Sequence, residues 1–293
     1  MPCFFPIGAY QFGAGLPLFF RPPQKHGAKY LQVPCGRCVG CRLEFARQWS
    51  VRCVHEASLH EQNSFCTFTY DAAHLPASYS LVPRDFTLFL KRLRKDYDVR
   101  YYMCGEYGDI TGRPHYHACL FGFRPPDCIK YSQNVRGDLT YTSKYLDAKW
   151  RLGNVIVGDV TFESAGYCAR YVMKKVKEDG PMREIFNVET GEIFKRHHEF
   201  ARMSRRPALG LEWFTRYSSD VYPHDRVVIR GVKSKPPRFY DKRYELLNAD
   251  KMAELKRKRF LLSDARAVDS SPRRLRDRKV VQDAAISRMK RSV

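Results

Sequence analysis

Apolar positions recur along this chain with two different periods, and the change of period marks its elements. Across Arg42 to Gln62, Leu43, Ala46, Trp49, Cys53, Val54 and Ala57 return at helical spacing, which predicts a helix beginning near Cys41. Phe65-Cys66-Thr67-Phe68-Thr69-Tyr70 is a β-branched and aromatic run of the kind that forms a strand. From Arg84 to Asp96, Phe86, Phe89, Leu90 and Leu93 mark one apolar helical face, with Lys91, Arg92, Arg94 and Lys95 around it. Val99 to Glu106 and His115 to Phe123 read as two strands joined by the turn-prone segment Tyr107 to Pro114. Residues 124–153 read as an insertion. Val155 to Phe162 follows as a strand and Ser164 to Val176 as a helix. This order predicts an α+β fold, a central antiparallel sheet with helices packed on it, rather than a doubly wound parallel sheet. No Gly-rich phosphate loop is present.

The flanks are less periodic. Residues 1–34 are rich in Gly, Pro and Phe, which suggests an irregular N-terminal arm, so the main domain is expected over 35–215. Within it the stretch beyond Lys177 is polar, with a hairpin expected around Asn187 to Glu192 and a basic patch at Arg202, Arg205 and Arg206. Residues 216–250 form a C-terminal extension. Residues 251–293 carry 14 Lys or Arg against 5 Asp or Glu and are expected to be a mobile basic tail.

Composition narrows the function classes. At 293 residues, 44% hydrophobic and 14% aromatic, the chain can build its own core, which excludes wholesale disorder. Fifty-two Lys and Arg against 31 Asp and Glu give a formal charge of +21, so a polyanionic partner is expected. No stretch approaches the roughly 20 apolar residues that span a bilayer, and Met1-Pro2-Cys3-Phe4-Phe5-Pro6 lacks the order of a signal peptide. A cytoplasmic protein without a membrane partner is the expectation.

Ten cysteines without an export signal point to thiols or metal ligands rather than disulfides. Seven of them (Cys3, Cys53, Cys66, Cys104, Cys119, Cys128 and Cys168) are scattered and read as small buried thiols. Cys35, Cys38 and Cys41 have the C-x₂-C-x₂-C spacing of thiolate metal sites. A closed Zn²⁺ site needs a fourth ligand, for which Cys53, His55, Cys3 or a distant residue qualifies. Three thiols around a glycine turn, without metal, fit the spacing equally well, and an iron–sulfur cluster is a smaller alternative.

Alternation along Pro114-His115-Tyr116-His117 puts His115 and His117 on one face of a strand, where two imidazoles can share a metal. Glu106 ends the preceding strand, and pairing it with an odd-numbered residue of the histidine strand places its carboxylate beside both rings. Two His and one Glu leave coordination positions open, which suits Mn²⁺ or Mg²⁺ on a phosphate oxygen, with Zn²⁺ also compatible by ligand type. In the later helix, Ala165, Cys168, Ala169, Val172 and Val176 form one apolar stripe, while Tyr167 and Tyr171 fall outside it. Arg170, Lys174 and Lys175 lie within a turn of Tyr171, and cations there favour phenolate.

The Pro-His-Tyr-His strand, followed by Tyr-x-x-x-Tyr-x-x-Lys-Lys, resembles the HUH endonucleases and specifically the rolling-circle replication initiators of microviruses, on their gokushovirus-like branch. The resemblance extends over roughly residues 30–215 and takes in Cys35 to Cys41, the Phe65 to Tyr70 strand and Ser204-Arg205-Arg206-Pro207. It implies an RRM-like palm with the histidines on a middle strand. His115 and His117 correspond to the metal-binding pair, Glu106 to the third ligand, Tyr171 with Lys174 to the nucleophile motif and Tyr167 to the second tyrosine. Arg170 stands where the pattern prefers Lys, which keeps the charge but changes its geometry.

The activity implied is metal-assisted nicking of single-stranded or origin DNA, giving a 5′-phosphotyrosine and a free 3′-OH, followed by rejoining, in a host bacterial cytoplasm with host polymerase and helicase as partners. Arg170, Arg202, Arg205, Arg206 and the basic tail are expected on the phosphate backbone. Two readings compete. One is a noncatalytic RRM-like protein that stacks single-stranded bases on exposed Tyr102, Tyr116 and Phe121. The other is a packaging protein acting through its tail.

Overall fold

The computed structural model describes residues 3–13, 16–108, 111–133, 137–175, 184–186, 191–265 and 267–288, without the side chains of 170–175 and 185. In place of an irregular arm the N-terminus forms an antiparallel pair, β1 (Ile7–Gln11) with β2 (Lys29–Val33). Helix α1 (Val39–Ala57) follows, starting two residues before the position its periodicity predicts. The described chain divides into two compact units, residues 1–45 with 256–291 and residues 46–255 with 292–293. One boundary between them therefore falls inside α1.

The larger unit is built on a seven-stranded antiparallel sheet. β3 (Asn63–Thr69) leads to α2 (Pro83–Leu93), which opens on a proline suited to the first helical turn. The hairpin β4 (Arg100–Tyr107) and β5 (Pro114–Phe121) comes next. The presumed insertion then proves to be part of the sheet: β6 (Ile129–Gln133) and β7 (Leu139–Thr142) extend its edge, and the short helix α3 (Lys144–Trp150) returns to the core. Its contribution was hidden because β6 is exposed along its length and carries no core-facing alternation.

β8 (Val155–Gly158) and α4 (Phe162–Lys175) complete the motif-bearing region. The pair β9 (Glu184–Phe186) and β10 (Ile193–Lys195) brackets the expected hairpin, whose residues 187–190 lie outside the description. β11 (Phe200–Met203) closes the sheet on the far side of β4, so the order is β11-β4-β5-β3-β8-β7-β6. The histidine strand β5 is therefore interior, flanked by β4 and β3, as the palm architecture requires.

Alternation gives the sheet two buried faces. On one, Cys66, Phe68, Met103, Tyr116, Ala118, Leu120 and Val157 pack with Phe86, Phe89, Leu90 and Leu93 of α2 and with Leu146 and Trp150 of α3. On the other, Tyr102, Cys104, Cys119 and Phe121 meet Ala46 and Cys53 of α1 and Ala165, Cys168 and Ala169 of α4. Trp49 of α1 stacks on Tyr102 with ring centroids 4.7 Å apart. The small residues on α4 and the thiols beneath them let that helix lie close to the sheet. Cys3, Cys53, Cys66, Cys104, Cys119 and Cys168 are buried as expected of scattered thiols, whereas Cys128 is half-buried.

The described chain after the palm also forms regular elements. α5 (Leu211–Val221), the pair β12 (Val227–Ile229) and β13 (Val232–Ser234), and α6 (Arg238–Leu247) gather a further core of Val51, Phe214, Val221, Tyr222, Val227, Tyr240 and Tyr244. Where composition led to a mobile tail, the described residues form α7 (Ala249–Asp264), a 3₁₀ turn over Ala267–Ser270 and α8 (Pro272–Arg288). Helical propensity of the Lys, Arg, Ala and Leu content accounts for this where a polar-composition rule does not. Among the described residues no helix is long and apolar enough to cross a membrane.

Candidate metal centre and active site

Along the sheet face under α1 and α4, the side chains change from apolar to polar towards one end of three adjacent strands. On β4 the sequence of that face is Tyr102, Cys104, Glu106, and on β5, running the other way, Phe121, Cys119, His117, His115. On β3 it is Phe65, Thr67, Thr69. The ladder pairs Glu106 directly with His115, and pairs His117 with both Cys104 and Thr67. An odd-numbered partner for Glu106 is what the sequence requires, and the register supplies it.

Both imidazoles aim Nε2 at one carboxylate oxygen: His115 and His117 each lie 2.9 Å from Glu106 Oε1. Tyr167, on the first half of α4, donates its phenol to that same oxygen at 2.9 Å. Its ring packs edge-on against His117, with centroids 4.7 Å apart. Glu106 is 1% exposed, and its second oxygen, Oε2, is buried without a hydrogen-bond partner. A buried carboxylate is costly unless compensated, so an oxygen left bare calls for a cation.

The outer ring nitrogens are also held. His115 Nδ1 faces the Arg113 carbonyl at 3.1 Å, which fixes a protonated Nδ1 and leaves Nε2 to bind. His117 Nδ1 lies 2.9 Å from Thr67 Oγ1. Thr67, which the sequence marks only as a strand residue, therefore touches the site. Its signal was available, since it shares the parity of Phe65 and Thr69 on a strand beside the histidines.

Burial would raise the Glu106 carboxyl, but hydrogen bonds and charge from the two imidazoles hold it down at about 2. His115 loses by burial and gains more from Glu106, and its pKa is raised. His117 is more deeply enclosed, and burial outweighs Glu106 so that its pKa is lowered. The site is thus an ionised carboxylate with one imidazole that favours a proton and one that resists it. Glu106, His115 and His117 offer ligand atoms all within 4.8 Å of one another. Two imidazole nitrogens, one hard oxygen and an orphaned carboxylate oxygen fit a divalent cation with open positions.

The other expected residues fall in several places. Tyr171, Arg170, Lys174 and Lys175 belong to α4, but their side chains lie outside the described residues. Arg202 pairs with Met103 in the ladder and so projects from the opposite face of the sheet to the histidines, where its guanidinium lies 5.2 Å from the Phe200 ring centroid. Arg205 and Arg206 are exposed in the turn after β11. Cys35, Cys38 and Cys41 are joined by Cys3, all four sulfurs lying within 4.8 Å of one another. Cys53 is buried in the core under α1, and His55 stacks on Trp213, so neither joins the thiol cluster. Tyr102, Tyr116 and Phe121 are buried at 1%, 0% and 0% exposure, which removes the base-stacking platform of the noncatalytic reading. They alternate as strand residues do, but the sheet is covered on both faces.

With this geometry in place, the comparisons with known proteins fall on the same region. The family model for replication-associated protein ORF2/G2P matches residues 63–176, from β3 to the end of α4. Replication-associated protein VP4 of Bdellovibrio phage phiMH2K is 33% identical over 232 residues, covering 75% of this chain and 70% of its own. Replication-associated protein ORF2 of Spiroplasma virus 4 is 33% identical over 228 residues, covering 73% and 68%. Replication-associated protein ORF4 of Chlamydia phage 1 is 29% identical over 219 residues, covering 71% of this chain and 52% of its own. The chain belongs to the microvirus family of replication-associated proteins. No solved structure matches it.

Proposed function

We propose that this protein initiates rolling-circle replication of a phage genome by cutting one DNA strand with a tyrosine and later rejoining it. The observation that carries the reading is the convergence of Glu106, His115, His117 and the Tyr167 phenol on one oxygen atom. The names of the relatives and the +21 charge support a role on DNA.

Mn²⁺ or Mg²⁺ held by Glu106, His115 and His117 would withdraw charge from a non-bridging oxygen of the scissile phosphate. The protein supplies the rest. Tyr167 holds its phenol oxygen at the rim of the site. Glu106, with a carboxyl pKa of about 2, orients that phenol as a hydrogen-bond acceptor and is too weak a base to keep its proton. As the phenol loses its proton to water, its oxygen bonds to phosphorus. The bond from phosphorus to O3′ breaks, and O3′ takes up a proton to become a free 3′-OH.

The phosphotyrosine ester conserves the bond energy, so a later 3′-OH can attack it and close the strand without nucleotide hydrolysis. Tyr171, one helical turn on, supplies the second phenol for that exchange. By the family motif Lys174 and Lys175 would supply positive charge for it, and Arg170, Arg205 and Arg206 would hold phosphates without reading sequence, while Arg202 faces the other side of the sheet. The 3′-OH primes a host polymerase in the bacterial cytoplasm, with a host helicase opening the duplex.

The test is incubation with end-labelled single-stranded DNA carrying the phage origin, with Mn²⁺ or Mg²⁺, followed by denaturing electrophoresis. A covalent protein–DNA adduct is expected, and none with His115→Ala/His117→Ala. Binding without any adduct under either metal would refute the reading and favour a nucleic-acid-binding role.

A further inference from the structure

We infer that Cys3, Cys35, Cys38 and Cys41 bind one Zn²⁺ ion as a closed tetrathiolate, a structural centre made of different residues from the Glu106–His115–His117 site. Three of these ligands come from one short C-x₂-C-x₂-C segment. The fourth comes from the beginning of the chain, a residue whose sequence surroundings carry no motif.

Distances decide against the alternatives. Cys35 and Cys41 sulfurs are 4.0 Å apart, and Cys38 and Cys3 sulfurs 3.9 Å, nearly twice a disulfide bond of about 2.05 Å. Four sulfurs at about 2.3 Å from one ion form a tetrahedron with edges of about 3.8 Å. All four sulfurs here lie within 4.8 Å of one another, which suits a single ion at their centre. A cluster with bridging sulfides would hold its thiolates farther apart, because each iron takes its own ligands.

The backbone around the sulfurs gives the second, independent observation. The amides of Phe4 and Cys35 donate to Cys38 Sγ and Cys3 Sγ, at 3.4 and 3.3 Å. Those of Arg37 and Cys38 both donate to Cys35 Sγ, at 3.4 and 3.3 Å. Thiols accept hydrogen bonds weakly and thiolates strongly, so four amides directed at three sulfurs describe a pocket for negative sulfur. Gly36, with φ of +71°, makes the turn that aims the Arg37 and Cys38 amides back at Cys35. Cys38 directly precedes α1 and Cys41 lies in its first turn, where the helix dipole also favours thiolate. A soft, all-sulfur, tetrahedral set without an open position selects Zn²⁺.

Such a centre also has mechanical sense. Cys3 lies four residues before β1 and Cys35 two residues after β2, so one ion ties together both open ends of the hairpin and the start of α1. A two-stranded sheet is marginal alone, and this one exposes Ile7 and Tyr30, with Phe12, Leu16 and Phe19 exposed in the connection between its strands. The metal supplies closure that this hairpin's own side chains do not.

The full-length chain, purified without chelator and dialysed against Mn²⁺, is expected to retain about one zinc per chain by elemental analysis. His115→Ala/His117→Ala should keep that zinc, while Cys3→Ser and Cys38→Ser should each lose most of it. Because the serine variants can fail to fold, unsubstituted protein reloaded with Co²⁺ gives a second measure. It should show sulfur-to-cobalt charge transfer in the near ultraviolet and the intense visible bands of tetrahedral cobalt. Zinc below a tenth of an equivalent together with no charge-transfer band overturns the proposal. So does zinc that leaves with the histidines and not the cysteines, or an iron chromophore in place of zinc.

Discussion

Tyr167 and Glu106 are joined by a hydrogen bond of 2.9 Å from the phenol to the carboxylate oxygen that both imidazoles face. The bond fixes where the phenol oxygen rests, beside the carboxylate and imidazoles that would hold a cation. It also fixes a division of labour, because a carboxylate held near 2 accepts the phenol's hydrogen bond and is too weak a base to take its proton. The family motif makes Tyr171 the nucleophile and Tyr167 the second tyrosine; the Tyr167–Glu106 bond argues for the reverse order, with Tyr167 making the first cut. Tyr167→Phe should abolish the covalent adduct on origin DNA, while Tyr171→Phe should form the adduct and fail to complete the joining step. The opposite pattern in a denaturing gel would reverse the two roles.

Thr67 offers a way to weaken the centre without touching a ligand. Its hydroxyl meets His117 Nδ1 at 2.9 Å and sets which ring nitrogen is free to bind. Loss of such a partner commonly costs 10–100-fold in metal affinity. Thr67→Val keeps the shape and should weaken Mn²⁺ binding by about that factor, as read by titration calorimetry or the free-Mn²⁺ paramagnetic signal. Thr67→Ser should restore it. Equal loss in both variants would mean that the methyl group, not the hydroxyl, matters.

How far the site could be read from sequence follows from which forces are local. Strand alternation and the position of Glu106 at a strand end are local, and they brought His115, His117 and Glu106 together before any coordinates. The apolar stripe of α4 likewise left Tyr167 outside the core face. Thr67 and Cys3 were harder, because each matters through a partner distant in sequence and sits in an ordinary context. Tyr102, Tyr116 and Phe121 show the limit of alternation, which says which face a residue is on and not whether a helix covers that face. The edge strands β6 and β7 escaped because an exposed edge carries no apolar pattern. The helices after residue 250 are not legible in charge composition, which does not distinguish a mobile basic tail from a run of good helix formers.

A distant backbone contact also supports the site. Gly153, between α3 and β8, has φ of +145°, and a Cβ there would lie 2.3 Å from the Thr69 carbonyl oxygen and 2.5 Å from the Asp71 nitrogen. These are backbone atoms, Thr69 at the end of β3, two residues from Thr67, and Asp71 just beyond the strand. Leu152 and Asn154 on either side accept hydrogen bonds from Asp71 and Thr69, which ties the turn to the strand. Gly153→Ala should cost about 2–3 kcal/mol in urea unfolding, from overpacking and a strained φ together. Gly191→Ala is a suitable control, because its φ of +71° meets open space and only the left-handed cost of about 1 kcal/mol applies. Equal losses in the two variants would show that the close approach of the turn is unimportant.

His55 supplies a prediction for acid. It is 5% exposed, its ring stacks on Trp213 with centroids 3.4 Å apart, and its Nδ1 shares a hydrogen bond of 2.9 Å with the Tyr240 hydroxyl. Burial disfavours the charged ring and lowers its pKa to about 3. In the unfolded chain the same group titrates near 6.5, so between these two values the unfolded state holds one more proton than the folded state. The contribution of His55 to stability is therefore fully present above about pH 6.5 and is lost as pH falls towards 3, at up to about 1.4 kcal/mol per pH unit. His55→Phe keeps the stack and removes the titration. Its urea stability at neutral pH should fall by roughly 1 kcal/mol for the lost hydrogen bond. Its stability between pH 6.5 and 4 should then decline less steeply than that of the unsubstituted protein, so that the two curves converge or cross in acid. Parallel curves across that interval would mean that the ring is hydrated, and so protonates as readily in the folded protein as in the unfolded chain.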